Sequence, residues 1–143
     1  MASNVKVSTA AANAMAGDGT NKGLLALLAA GYVTFYTGTQ PANPGVSDSG
    51  FTKYGILTLN SPGATQSNGV LTLSIASAGL VLAGTGVDQP TWARISTSAG
   101  PTAGGLIDCS CGTSGADITV AANWVAGGTI TYSGGITVSV PNP

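Results

Sequence analysis

The stretch Tyr32-Val33-Thr34-Phe35-Tyr36-Thr37 decides the fold class, because every residue in it is aromatic or β-branched. Such side chains are enriched in β-strands. Similar short runs continue to the end of the chain, separated by clusters of glycine, proline, asparagine and serine. They lie at residues 54–59, 70–76, 80–83, 91–97, 105–110, 117–122, 129–132 and 136–140. Eight or nine short strands at this spacing predict an all-β sandwich or barrel.

The first 31 residues differ from the rest and favour short helices. Residues 10–16 are rich in alanine, and Ser8 or Thr9 precedes them as a possible N-cap. A second short helix is expected at residues 24–30, where the sequence is apolar nearly all round. Such a helix should be buried. We therefore predict a helical N-terminal segment over residues 1–31.

The last two candidate strands, residues 129–132 and 136–140, test the strand register. If they form a hairpin, a three-residue loop at 133–135 keeps the apolar side chains of both strands on one face. A two-residue loop would mix polar and apolar side chains on that face. We predict the three-residue loop, or else that the two strands lie in different sheets.

Charged residues are scarce: they make up 6% of the 143 residues, against roughly 25% in typical soluble domains. Four scattered basic residues cannot build the patch that neutralises nucleic-acid phosphates. The mean hydropathy of +0.34 is the opposite of a disordered composition. No apolar run reaches the roughly 18 residues that cross a bilayer, so no transmembrane helix is expected. We expect neither nucleic acid nor membrane as a partner.

The same scarcity of charge points to permanent contacts with other proteins. A free monomer with almost no charge is poorly protected against association. A protein that functions inside an assembly does not face that problem. Surfaces rich in serine, threonine and glycine suit contacts that do not depend on salt.

Catalytic constellations are weak in this sequence. Histidine and glutamate are absent, and no Gly-x-Ser-x-Gly elbow occurs. The segment at residues 17–23 fits neither a phosphate loop nor a calcium loop. Outside the N-terminal segment the carboxylates are Asp48, Asp88, Asp108 and Asp117. Two of them could meet in space as a glycosidase pair, but a local role in accepting backbone hydrogen bonds is the simpler interpretation for each. We expect no enzyme activity and no cofactor.

Cys109 and Cys111 are two residues apart, so on a strand both point to the face of Ile107. A tetrahedral zinc site needs four ligands, and the chain has no histidine to supply any. A disulfide between positions i and i+2 would be strained. We predict two reduced, buried thiols that pack as small apolar side chains, and no metal site.

Trp92 and Arg94 share one face of a predicted strand. They could lie on the outer surface, where tryptophan and arginine are enriched in interface hot spots. Alternatively, the chain's own loops or helices cover Trp92. Tyr32, Thr34 and Tyr36 form a similar stripe, which we expect the N-terminal helices to cover.

Three motifs in order resemble a widespread family of small tailed-phage virion proteins. The first is Gly31 followed by Tyr36-Thr37-Gly38-Thr39-Gln40-Pro41. The second is Trp92-Ala93-Arg94-Ile95, and the third is Gly115-Ala116-Asp117-Ile118. A glycine-rich hairpin and a terminal Thr-Val-x-Val-Pro follow. The resemblance covers most of the chain.

What the resemblance implies is a jelly-roll-like β-sandwich over residues 32–143 that binds the outside of an icosahedral head. Such capsid cement, or decoration, proteins have the major capsid protein as their partner and no catalytic residues. We expect self-association as a dimer or trimer, synthesis in the host cytoplasm and a final location on the virion. A tail, collar or fibre component involved in host attachment is the alternative.

Four residues are candidate partner contacts under this interpretation: Trp92, Arg94, Gln40 and Pro41. Gln40 and Pro41 lie in the longest predicted loop, residues 38–50. Either this loop or the N-terminal segment is expected to reach a neighbouring subunit.

Overall fold

The computed structural model describes residues 4–16, 23–68, 70–98, 105–132 and 135–139. Two helices lie near the N-terminus, α1 (Thr9–Ala16) and α2 (Leu24–Leu27). The strands are β1 (Lys6–Val7), β2 (Tyr32–Tyr36), β3 (Lys53–Ser67), β4 (Val70–Ile75), β5 (Gly79–Val81), β6 (Thr85–Asp88), β7 (Trp92–Ser96), β8 (Gly105–Gly112), β9 (Ile118–Thr119), β10 (Trp124–Val125), β11 (Thr129–Ile130) and β12 (Ile136–Ser139).

Ten of the described strands form a curled, mainly antiparallel sheet, which confirms the mainly β prediction. The other two, β6 and β10, pair with each other in a separate two-stranded sheet. One layer has the order β1-β8-β7-β2-β3, with β5 and then β11 beyond the first half of β3. The second half of β3 continues into another layer with β4 and β12. A register shift between Leu59 and Ala64 marks the change of layer. β3 is therefore shared by both layers of a sandwich-like arrangement.

The core lies between the layers and follows the two-residue period of the strands. Val33 and Phe35 of β2 point inward, as do Ile95 of β7 and Ile107 of β8. Leu71 and Leu73 of β4 and Ile136 and Val138 of β12 meet them from the second layer. These side chains belong to a single buried cluster, so the two layers are packed on each other.

The nine predicted strands are all present, and the described ranges contain three more. β1, β6 and β10 have only two to four residues each, too few to show a period in the sequence. β3 also continues past its predicted end at Leu59, through Ser61 and Pro62. Proline cannot donate to a ladder and normally ends a strand. Here it lies where the strand passes from one layer to the other.

The two last strands lie in different layers of the curled sheet and do not pair with each other, which agrees with the second of the two alternatives for this region. β11 pairs with β5, whereas β12 pairs with β4. Ser133 and Gly134 of the predicted loop, and Val140 of the predicted strand, lie outside the described residues.

The N-terminal segment is only partly as predicted. The Ser8 hydroxyl accepts a hydrogen bond from the Ala11 amide (3.1 Å), so Ser8 caps α1 as expected. α2 is shorter than predicted, and the expectation of a buried helix is met on one face only. Leu24 and Leu28 are buried, but Leu25 is exposed, because one face of this short helix packs on β3. No helix of the described residues is long and apolar enough to span a bilayer.

Candidate interaction surfaces

A buried ion pair lies on the face of the larger layer that points away from the core. Strand register places Arg94 of β7 beside Asp108 of β8. The guanidinium donates to both carboxylate oxygens, from Nε to Oδ1 (2.7 Å) and from Nη2 to Oδ2 (2.8 Å). Both residues are almost fully buried. This two-pronged geometry is the strongest form of the arginine–carboxylate contact.

The loop of residues 38–52 covers this face and is tied to it by side chains of the sheet. Four of these side chains donate hydrogen bonds to the loop: Lys6, Tyr36, Thr91 and Arg94. Lys6 donates to the Pro41 carbonyl (2.6 Å), and the Tyr36 hydroxyl donates to the Asp48 carboxylate. Thr91 donates to the Gly38 carbonyl (2.6 Å), and Arg94 donates to the Val46 carbonyl (2.6 Å). The loop is therefore held along most of its length.

Three aromatic rings fill the space between loop and sheet. Tyr36 and Trp92 stack with centroids 4.2 Å apart and planes 11° from parallel. Phe51, from the loop, meets Trp92 edge-on at 5.1 Å. The Arg94 guanidinium lies 5.4 Å from the centroid of the Trp92 ring. Stacked and edge-on pairs contribute roughly 0.5–1.5 kcal/mol each beyond the area they bury.

The four candidate contact residues are brought together here, but inside the chain's own fold. Trp92 and Arg94 are 0% and 1% exposed, and Pro41 is also buried. Half-buried Gln40 exchanges hydrogen bonds with Asn4: its Oε1 accepts from Asn4 Nδ2 (2.8 Å), and its Nε2 donates to the Asn4 carbonyl (3.0 Å). In this conformation Trp92, Arg94 and Pro41 offer no side-chain surface to a partner. The alternative in which the chain covers Trp92 is the one observed.

The segment that covers the stripe of Tyr32, Thr34 and Tyr36 differs from the expectation. The 38–52 loop, rather than the N-terminal helices, packs on Tyr36. The loop and the described part of the N-terminal segment also bind each other, through Asn4 and Lys6. Both segments that were expected to reach a neighbour are therefore engaged within the chain.

The exposed surface of the described residues carries no fully exposed charged side chain. Seven charged residues are described; Asp48, Arg94 and Asp108 are buried, and the other four are half-buried. Each aspartate among them accepts hydrogen bonds from its own partner: Tyr36 for Asp48, Thr85 for Asp88, Arg94 for Asp108 and Ser110 for Asp117. The surface of the described residues is thus built mainly from uncharged side chains and backbone, with four partly exposed charged residues.

Exposed aliphatic side chains gather on one edge of the larger layer. Residues 79–88 and 124–130 run side by side there and form what we call the edge ribbon. The Val81 amide donates to the Gly128 carbonyl (2.9 Å), and the Gly127 amide donates to the Val81 carbonyl (2.9 Å). Of seven large apolar side chains exposed in the described chain, four lie on the ribbon: Leu80 (50%), Leu82 (45%), Val87 (83%) and Val125 (54%).

The two cysteines are free thiols, as predicted, but only Cys109 is fully buried. Cys111 is half-buried, because it lies near the end of β8. Burial raises the pKa of both thiols above the ordinary value, so they stay protonated. The described residues contain no cluster of three or more side chains that could hold a metal ion.

Comparison with known proteins adds no relative. No protein-family model matches the chain, and no curated protein or solved structure is significantly similar to it.

Alkaline pH is expected to destabilise the fold. Burial raises the pKa of Cys109, Cys111, Tyr36 and Tyr132. The unfolded chain ionises such groups near their ordinary values, about 8.5 for cysteine and 10 for tyrosine. The stability they contribute is thus complete below about pH 8.5. It falls as the pH rises further, by up to about 1.4 kcal/mol per pH unit for each group.

Urea denaturation at a series of pH values checks this expectation. Because histidine is absent, the midpoint should change little between about pH 5.5 and 8. It should then fall steadily towards pH 11. A midpoint that stayed constant from pH 8 to 11 would show that these four groups are not held neutral in the fold.

Proposed function

We propose that this chain is a non-catalytic virion structural protein that binds the outer capsid lattice of a tailed phage and stabilises the head. The observation that carries the proposal is the chemical character of the exposed surface. Its described part has no fully exposed charge, while four aliphatic side chains stand exposed on the edge ribbon. Contiguous exposed apolar surface typically marks a site of protein association. A chain that spends its functional life bound to other proteins can keep such a surface.

The fold supports this role because the domain is tied together on both of its faces. The core joins the two layers, and the 38–52 loop is fastened over the outer face by buried polar contacts. A rigid subunit loses little conformational freedom when it binds. Binding across boundaries between capsid subunits would stabilise the assembled shell by mass action, since this chain would bind only the assembled state.

The partner in this proposal is the major capsid protein, contacted on the outer surface of the head. Copies of this chain would also associate as a dimer or trimer on a symmetry axis of the lattice. Synthesis would take place in the host cytoplasm, before assembly onto the virion.

Binding to assembled heads tests the proposal directly. Purified protein is added to heads from which it has been stripped, and the heads are then heated while DNA release is followed. Saturable binding at a fixed ratio to capsid subunits, with release at a higher temperature, supports cementing. Absence of binding to heads, with co-purification on tails, contradicts it and favours a tail, collar or fibre component.

The edge ribbon is expected to contribute to head binding. The double variant Leu82→Ser/Val87→Ser removes apolar surface that an interface would bury, at roughly 25 cal/mol per Å². We expect the dissociation constant for heads to rise about tenfold or more, with little change in the free energy of unfolding. Val46→Ser is the matched control, because Val46 is an exposed aliphatic residue outside the ribbon.

Two results would contradict this part of the proposal. One is a double variant that binds heads as tightly as the original chain. The other is a steep loss of binding between about 0.1 and 1 M NaCl, since contacts without charge should be insensitive to screening.

A further inference from the structure

A cleft of about 290 Å³ opens between residues 121–125 and 128–132. Its floor is formed by the buried side chains of Val81, Trp124 and Ile130. Tyr132, half-buried, forms one wall. The volume is close to the lower end of the range for small-molecule sites, roughly 300–1,000 Å³.

The aromatic part of the cleft is fixed in place. The Trp124 Nε1 donates to the Ala121 carbonyl (2.7 Å), and its ring packs on Phe35 with centroids 5.2 Å apart. The Tyr132 ring lies parallel to the Phe35 ring with centroids 6.4 Å apart, and its hydroxyl donates to the Thr119 carbonyl (3.3 Å). The cleft is thus largely formed before any ligand arrives.

Three polar side chains stand exposed around this apolar floor: Asn123, Thr129 and Thr131. None of them has a side-chain hydrogen bond within the described part of the chain. Asn123 also has a left-handed backbone, with φ 63°. Asparagine is among the residues that adopt this conformation most readily. The amide and the two hydroxyls are therefore free to bind a ligand.

Among the described residues, the lining of the cleft contains no charged side chain. A carboxylate or phosphate would lose its hydration there without gaining a partner, which is costly. A pure hydrocarbon would leave the three free polar groups unused. The ligand that fits combines an apolar face with several neutral hydroxyl or amide groups.

We propose that this cleft binds a neutral saccharide unit, either as a free sugar or as part of a glycan. The C–H face of the sugar ring lies on the apolar and aromatic floor. Its hydroxyl groups exchange hydrogen bonds with Asn123, Thr129 and Thr131. This activity goes beyond capsid binding. It is tested on the free chain, because the cleft shares Val81, Trp124, Val125 and residues 128–130 with the edge ribbon that capsid binding would cover.

Titration of the ¹⁵N-labelled full chain tests the proposal. The probes are glucose, galactose, mannose and N-acetylglucosamine, with glucuronate as a charged relative of glucose and a short neutral oligosaccharide as the glycan form. At least one neutral probe should cause saturable shifts confined to the amides of residues 121–132. Glucuronate should bind more weakly than glucose. The proposal is overturned if no neutral probe causes such shifts at concentrations up to about 100 mM, far above the dissociation constant of a millimolar site. Shifts spread over the whole surface would overturn it as well.

Two variants assign the contact. Asn123→Gly keeps the left-handed backbone and removes the amide, and Thr131→Val removes a hydroxyl while keeping the shape. Each should raise the dissociation constant about fivefold, the effect of losing one hydrogen bond. Thr65→Val, at an exposed position on β3 in the other layer, is the control and should bind as the original chain does. Unchanged affinity in both cleft variants would overturn the assignment.

Discussion

Replacing Arg94 with alanine should lower the free energy of unfolding by about 3–5 kcal/mol. The substitution leaves the Asp108 carboxylate buried without its two donors, which lie at 2.7 and 2.8 Å. It also removes the donor to the Val46 carbonyl, so the 38–52 loop loses a tie near its centre. A small domain has only about 5–15 kcal/mol of stability in total. The variant should therefore be close to unfolding, as measured by urea denaturation.

Matched variants separate the buried charge from the loss of packing. Arg94→Met combined with Asp108→Leu removes both charges of this buried pair, and it should recover most of the lost stability. Arg94→Lys should recover little, because an ammonium cannot reproduce the planar two-pronged contact. A single alanine variant that lost less than about 1 kcal/mol would contradict the buried ion pair.

Replacing Trp92 with alanine is expected to cost about 3–5 kcal/mol as well, through loss of packing. The indole is fully buried between Tyr36 and Phe51, at 4.2 and 5.1 Å between ring centroids. Its removal leaves a cavity between loop and sheet that the tied loop cannot fill. Urea denaturation monitored by circular dichroism measures the effect without relying on the deleted fluorophore.

Trp92→Phe is the control for this prediction. The Trp92 Nε1 has no hydrogen-bond partner within the described residues. Phenylalanine therefore loses no polar contact, and its cost should stay below about 1.5 kcal/mol. If phenylalanine and alanine cost the same, packing of the indole would not be the cause.

The strands were predictable because their signal is local. In β2, aromatic and β-branched side chains alternate between Val33 and Phe35 on one face and Thr34 and Tyr36 on the other, and the structure buries all four. A strand that is apolar or aromatic on both faces indicates cover on both sides. The sequence does not say what supplies the second cover, and we expected the helices in place of the loop.

The buried polar cluster was not predictable for a related reason. Arg94 and Asp108 meet only because β7 pairs with β8 in one register, and Arg94 meets Val46 across 48 residues of chain. No pattern in the sequence around these residues predicts the two contacts. One signal was available: Asp108 lies in a predicted strand between Ile107 and Cys109, whose thiol was predicted to be buried. A carboxylate in such a strand requires a cationic partner, and Arg94 was the single arginine in the chain.

The scarcity of exposed charge has a consequence for the rate at which copies of this chain would find their partners. Attraction between opposite charges accelerates encounter far above the rate for neutral surfaces, which is roughly 10⁵–10⁶ M⁻¹s⁻¹. With no charged side chain fully exposed in its described part, the chain has little long-range steering. Its association should be slow and nearly the same at any ionic strength. In the proposed role on a capsid, the lifetime of each bound copy, rather than the speed of its arrival, would then set how completely the head is covered.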